Sequence, residues 1–246
     1  MSVWGKILGG AAGFALGGPI GALVGALAGH AVDRMNDAAG EVAVADGTRQ
    51  IAFTIGVIVL GAKLAKADGY VNRKEVDAFK QVFHIPAEEM KNVGRVFDQA
   101  RKDARGFEPY ARQLAGMFAD NRAVLEELID GLFHVARADG RIAEAEIDYL
   151  GRLAEIFGFE PREWDRIRAA NMAAIQPNCD HYCILGVTPD ASDKEIRDAH
   201  RKLVLENHPD RLVAQGMPRE FVEIANEKLA TINAAYDEIK KLRGIR

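Results

Sequence analysis

Residues 203–213 read LVLENHPDRLV, an apolar and charged run that is interrupted at His208-Pro209-Asp210. Proline has no backbone N–H to donate within a helix, and it favours an extended backbone for the residue before it. The stretch therefore predicts that a helix ends near residue 207 and that His208 is extended. Asp210 can accept local backbone hydrogen bonds in a turn, so each residue of the tripeptide has an ordinary structural role.

The sequence before the tripeptide predicts an amphipathic helix over residues 193–207. Ser192 and Glu195 have the spacing of a capping box, which fixes the start of the helix. One face is apolar and carries Ile196, Ala199 and Leu203. The opposite face carries Lys194, Arg197 and Arg201, although Asp193, Asp198 and Glu206 dilute this charge, so a merely solvated face is an alternative interpretation.

A second long helix is predicted over about 219–242, after a loop that holds Gly216 and Pro218. Its apolar residues fall on one face, which predicts that it packs antiparallel to the first helix. This face carries Phe221, Ala225, Leu229, Ile232, Tyr236 and Ile239.

Two antiparallel helices joined by a loop that begins with His-Pro-Asp resemble the J domain of DnaJ-type co-chaperones. YCILGV at 182–187 and AHRKL at 199–203 match the family's motifs, with His200 in place of the usual Tyr. The resemblance covers 180–246 and implies docking on a DnaK-type chaperone, whose ATP hydrolysis it would stimulate. The partner-binding residues that it implies are His208, Pro209, Asp210, Lys194, Arg197, Arg201, Lys202 and Arg211.

The middle of the chain carries an internal repeat. AKLAKADGYVNRKEVDAF at 62–79 and LFHVARADGRIAEAEIDYL at 132–150 share Ala-Asp-Gly and a later Glu, at a constant offset of 71 residues. Each copy predicts two helices joined by a tight turn, in which glycine permits a positive φ. The sequence therefore predicts an all-α bundle over 48–172, and the doubled motif resembles the TerB family named for tellurite resistance.

Four carboxylates occupy matched positions in the repeat: Asp68, Glu75, Asp139 and Glu146. Oxygen ligands suit calcium or magnesium, although the spacing is not that of an EF-hand loop. The alternative is that these residues cap the turns and the helix starts. The TerB resemblance implies an acidic, metal-binding site, so a metal-responsive stress sensor is the alternative function.

The amino terminus is uncharged over residues 7–29, which as a helix of about 35 Å would cross a bilayer core. Its glycines recur at every fourth position, a pattern that predicts close helix pairing in lipid and hence a homodimer. They are Gly9, Gly13, Gly17, Gly21, Gly25 and Gly29. We predict a membrane-spanning segment at 1–34 and a linker at 35–47, while a cleaved signal peptide is an alternative.

The apolar run at 51–62 is shorter and favours a buried helix over a second span. A further linker is predicted at 173–179. The net charge of −4 gives no reason to expect a nucleic-acid partner. No phosphate loop, nucleophile elbow or His-Glu-x-x-His motif is present in the sequence, so an enzyme is not expected.

The order of parts resembles the DjlA family of membrane-anchored bacterial co-chaperones. DnaK-type chaperones and ATP are cytosolic, so the resemblance implies an inner-membrane protein with most of its chain in the cytosol. A structural membrane assembler, driven by the glycine stripe, is a third interpretation.

Overall fold

The computed structural model describes residues 18–22, 41–66, 77, 79–80, 85, 87, 90–102, 106–137, 140–173 and 181–245. The regular secondary structure of these residues is helical throughout, as the sequence predicts. Ten α-helices with defined bounds follow one another along the described chain. They are α1 (Glu41–Leu64), α2 (Met90–Lys102), α3 (Glu108–Met117), α4 (Arg122–Ala136), α5 (Glu144–Ile156), α6 (Pro161–Met172), α7 (His181–Leu185), α8 (Asp193–Glu206), α9 (Pro209–Ala214) and α10 (Val222–Arg243).

Helix α1 is the central element of what we call the middle module, residues 41–173. The run at 51–62 is buried on all sides, and Phe53 and Leu60 are inaccessible to solvent. Each such side chain stabilises the fold by about 1.5–3 kcal/mol relative to an exposed one. Gly56 brings α3 close, because a Cβ there would lie 2.6 Å from a methyl group of Leu114. The helix begins at Glu41, inside the segment predicted as a linker.

The second copy of the internal repeat has the predicted helix-turn-helix form. Helix α4 ends at Ala136, Gly140 has a φ of +89°, and α5 begins at Glu144. The positive φ explains the glycine, because residues with a Cβ rarely adopt it. In the first copy, residues 67–76 lie outside the described residues.

We call residues 181–245 the J module. Its helix α8 runs over Asp193–Glu206, close to the predicted 193–207. The predicted capping box is confirmed: the Ser192 hydroxyl accepts a hydrogen bond from the Glu195 N–H at 3.2 Å, and the Glu195 carboxylate accepts from the Ser192 N–H at 2.7 Å. Arg243, at the carboxyl end of α10, joins that helix to α7 by donating to the Tyr182 hydroxyl at 2.9 Å.

The apolar face predicted for the second long helix is divided between two cores. The carboxyl-terminal part of α10 packs in the J module with α7 and α8. Phe221, Ile224 and Ala225, together with Leu212 and Met217 of the preceding segment, belong to the core of the middle module. The Phe221 ring meets Phe53 of α1 edge-on, with the centroids 4.9 Å apart. The J module therefore contributes part of its chain to the core of the middle module, which the two modules share, and keeps a second core of its own.

The segment after His208 differs from the prediction. The sequence predicts a loop there, whereas Pro209–Ala214 form the short helix α9. Proline's fixed φ and missing N–H are compatible with a first helical position, so Pro209 ends one helix and begins the next.

Candidate functional site

The His-Pro-Asp tripeptide lies at the corner between α8 and α9. His208 has a φ of −67° and a ψ of 127°, the extended backbone that the following proline favours. Its Nδ1 accepts a hydrogen bond from the Asp210 N–H at 3.2 Å, so the imidazole caps α9. Pro209 is buried, while His208 and Asp210 are exposed. Among the described residues, no side chain pairs with the Asp210 carboxylate.

Five cations of the predicted partner-binding set are exposed on α8 and α9, and we call them the cation row. The row consists of Lys194, Arg197, Arg201, Lys202 and Arg211. Lys194 pairs with Asp198 at 2.9 Å on the same helix, and Lys202 lies 4.0 Å from Glu206. Arg197 and Arg201 form no ion pair with any described residue. Exposed pairs of this kind contribute little to stability, so the row stays available to a partner.

His200 occupies the position at which the J-domain motif has Tyr. Its ring stacks on Tyr236 with the centroids 4.0 Å apart, and its Nε2 lies 2.8 Å from the Asn233 side-chain oxygen. The imidazole therefore joins α8 to α10 by a flat ring contact and a polar contact.

A cleft of about 450 Å³ separates α8 from the middle module. Lys202 and Arg211 of the cation row line its J-module wall. Arg122, Phe159 and Arg162 of the middle module line the opposite wall. Two of the docking residues predicted from the sequence, Lys202 and Arg211, thus also line a cleft between the modules that the sequence does not indicate.

A buried group of ions joins the two modules, and we call it the ionic cluster. The Lys228 ammonium of α10 lies 2.6 Å from Glu126, 3.1 Å from Glu127 and 2.8 Å from Asp130, all on α4. The four side chains are buried. Removing one partner from such a group leaves a buried charge uncompensated, which destabilises a fold strongly.

Helix α6 completes the ionic cluster. The two terminal guanidinium nitrogens of Arg166, Nη1 and Nη2, donate to the Glu126 carboxylate at 2.8 and 2.5 Å. The Asn171 amide donates to Asp130 at 2.5 Å. The cluster therefore holds three carboxylates and two cations, and one bound proton would make it neutral.

Burial and the neighbouring charges together shift the pKa values of the ionic cluster. Burial raises the pKa of Glu127 to about 7, although Lys228 opposes the rise. Burial also raises the pKa of Asp130. For Glu126 burial acts upward, yet Arg166 and Lys228 together hold the pKa far below its usual value. Burial would lower the pKa of Lys228, but the three carboxylates raise it.

The ionic cluster is not among the sites predicted from the sequence. The available signal is Glu-Glu-Leu-Ile-Asp at 126–130 inside an otherwise apolar helix, and Lys228 beside the apolar face of α10. Arg122 and His134 stand four residues from Glu126 and Asp130 in the same helix, but in the structure they pair with Glu163 and Glu227 instead. The cations that pair with the buried acids are Arg166 and Lys228, 40 and about 100 residues further along the chain, where local patterns give no information.

The carboxylates of the predicted metal site are only partly described. Asp68, Glu75 and Asp139 lie outside the described residues. Glu146 is buried, and its carboxylate accepts a hydrogen bond from the Ala143 N–H at 2.8 Å, which is the capping role given above as the alternative. No group of potential metal ligands occurs among the residues that the structure describes. The four-carboxylate site stays a prediction.

The predicted membrane segment is described only at residues 18–22, which are helical. Ile20 is buried in the core of the middle module, and its N–H donates to the Gln113 side chain at 2.9 Å. Gly21 is buried too, while the other five glycines of the stripe lie outside the described residues. Every helix within the described ranges is too short or too polar to span a bilayer.

Family comparisons divide the chain into three parts. Residues 1–50 match the co-chaperone DjlA transmembrane domain, 54–169 match the tellurite resistance protein TerB, and 180–242 match the DnaJ domain. The TerB and DnaJ resemblances predicted from the sequence are thereby confirmed.

Several similar proteins carry the name co-chaperone protein DjlA. That of Photobacterium profundum is 30% identical over 99% of this chain and 100% of its own length. Those of Shewanella oneidensis and Aliivibrio fischeri are each 32% identical over the full length of both chains. No solved structure matches the chain. From its three domain matches and these full-length similarities, the chain belongs to the DjlA family of J-domain co-chaperones.

Proposed function

We propose that the chain docks on a DnaK-type chaperone through His208-Pro209-Asp210 and the cation row, and stimulates ATP hydrolysis by that chaperone. The chain would act as a regulator and catalyse no reaction itself. The observation that carries the proposal is the corner between α8 and α9, where two exposed polar residues flank a buried proline.

This corner presents a preorganised surface to a partner. Pro209 is held in the protein interior, and its ring fixes the backbone on which His208 and Asp210 stand. The His208 ring is itself tied to the Asp210 N–H. Because little freedom remains to be lost on docking, the entropic cost of binding is reduced. The Asp210 carboxylate is available to pair with a cation of the partner.

The cation row supplies the long-range attraction. Arg197 and Arg201 are exposed, and no ion pair with a described residue neutralises them. An acidic surface on the chaperone would be steered toward them, and the encounter would weaken as salt screens the charges.

The test is single-turnover ATP hydrolysis by a DnaK-type chaperone with the full-length chain in detergent micelles. The native chain is expected to stimulate hydrolysis several-fold, because the proposed docking on the chaperone activates its ATP hydrolysis. Asp210→Asn is expected to abolish most of this stimulation, since a buried interfacial charge pair is worth about 2–5 kcal/mol on truncation. His208→Gln is expected to do the same, because it removes the imidazole that accepts the Asp210 N–H.

Asp148→Asn is the matched control, because Asp148 is an exposed carboxylate on α5 of the middle module. It is expected to leave stimulation unchanged. Equal stimulation by the native chain and the Asp210→Asn variant would mean that the tripeptide serves only to connect two helices.

We also propose that the amino-terminal segment anchors the chain in the inner membrane with residues after about 30 in the cytosol. The match of residues 1–50 to a DjlA transmembrane domain supports an anchor, and the cytosolic location of ATP-dependent chaperones supports the orientation. Protease added to intact spheroplasts should spare the J module. Its digestion there would overturn the proposed orientation.

A homodimer formed through the glycine stripe is a further part of the proposal. A row of glycines lets two helix backbones approach closely in lipid. Gly17→Leu should reduce chemically crosslinked dimers in membranes, because leucine would fill the contact. Unchanged crosslinking would show that the stripe does not pair two copies.

A further inference from the structure

The cleft between the modules carries charge on both walls, and most of it is already paired. Arg122 pairs with Glu163 at 2.7 Å, and Arg166 is bound to Glu126. Arg162, at the start of α6, is exposed and makes no ion pair or hydrogen bond with any described residue.

Arg162 and Arg211 therefore remain as cations on the two opposite walls of the cleft. The Arg211 guanidinium has only a long contact of 3.5 Å with the Leu205 carbonyl oxygen. Asp120 at the cleft edge is an exposed carboxylate, so the two guanidiniums outnumber the available acids. A surface of this kind suits an acidic element of a partner.

The ionic cluster and the shared core hold the two walls in a fixed relation. Lys228 ties α10 to α4, and Arg166, which lines the cleft, ties α6 to α4. Phe221 inserts into the core of the middle module. A side chain on α6 is thus held at a set position relative to Asp210, as a docking residue must be.

We propose that the docking surface for the DnaK-type chaperone extends across this cleft, and that the middle module contributes Arg162 to it. The occupant of the cleft is an acidic surface element of the same chaperone that meets the cation row. This inference rests on the proposed function and adds to it a contact outside the J module. Arg162 acts in recognition alone, whereas His208 and Asp210 act in both docking and stimulation.

The test compares charge reversals in the full-length chain by the concentration needed for half-maximal stimulation of chaperone ATP hydrolysis. Arg162→Glu should raise this concentration roughly three- to tenfold at low salt, with a smaller effect at high salt and an unchanged maximum. Arg168→Glu is the matched control: it lies on the same helix, is exposed, does not line the cleft and changes the net charge equally. It should shift the concentration by less than about twofold.

Two further variants distinguish a failure of the cleft inference from a failure of the proposed function. Arg201→Glu, in the cation row, should weaken docking whether or not the cleft takes part. Arg162→Gln should raise the half-maximal concentration less than Arg162→Glu does. Because it removes the charge without reversing it, it also checks that the effect of Arg162→Glu is not a folding defect. If Arg201→Glu weakens docking while Arg162→Glu matches Arg168→Glu, the cleft inference is wrong and the proposed function stands. If the native chain gives no stimulation, both fall.

Discussion

At the scale of single residues, Glu127 makes the stability of the folded chain depend on pH. Its pKa is raised from 4.5 to about 7 by burial, so the folded chain keeps a proton that the unfolded chain releases above about pH 4.5. The free energy of unfolding therefore falls with rising pH up to about 7 and then levels off. Relative to Glu127→Gln, the native chain should lose about 2–3 kcal/mol between pH 5 and 7, measured by urea denaturation.

Other groups also titrate, and the comparison with Glu127→Gln removes the effect of those outside the ionic cluster; Asp130, whose pKa burial also raises, changes the pH response in the same direction as Glu127. Burial and Arg137 lower the pKa of His134 to about 4, so His134 acts with the opposite sign. It is present in both chains and cancels. Glu155→Gln, at an exposed site on α5, is the control and should leave the pH dependence as it is. If the native chain and Glu127→Gln respond identically to pH, Glu127 is not the residue that carries the proton.

At the scale of elements, Glu146 distinguishes a helix cap from a metal ligand. Its carboxylate accepts the Ala143 N–H at the start of α5. Glu146→Ala should cost about 1 kcal/mol of unfolding free energy, because that N–H loses its acceptor. Glu146→Gln should cost less, since an amide oxygen can also accept the bond.

The metal hypothesis makes the contrary prediction for the same two variants. The negative charge of a carboxylate contributes strongly to binding of calcium or magnesium, so glutamine would weaken metal binding even though its amide oxygen can still accept the Ala143 N–H. Calorimetry of the native chain with calcium, magnesium and zinc measures the binding directly. Heat of binding that Glu146→Gln abolishes would favour the predicted site at the Asp-Gly turns.

Elements with local signals could be predicted from the sequence, and those that depend on distant contacts could not. Helix α8 is predicted almost to the residue, because Ser192 and Glu195 define its start and Pro209 limits its end. Helix α9 is missed, because Pro209 is interpreted as a helix stop although it also suits a first helical position. The exposed tripeptide follows from sequence pattern, whereas the cleft and the ionic cluster arise from tertiary packing.

At the scale of the whole molecule, the border between the two modules is not a break in packing. Sequence patterns separate the repeat from the J domain, since each has its own motif. The structure nevertheless places Leu212, Met217 and Phe221, which follow the tripeptide, in the core of the middle module. The segment next to the proposed docking residues is therefore supported by the middle module, and a disturbance in one module should reach the other.

Phe221→Ala tests this coupling. Phe221 is buried against Phe53 of α1, so its truncation should cost about 3–5 kcal/mol of unfolding free energy. Because the core is shared, native-state hydrogen exchange should show faster exchange in α1 and in α10 together. Leu242→Ala is the control, since Leu242 is 70% exposed and its truncation should change neither helix. Faster exchange confined to α10 would instead mean that the J module opens independently, and that the middle module does not support the His-Pro-Asp corner.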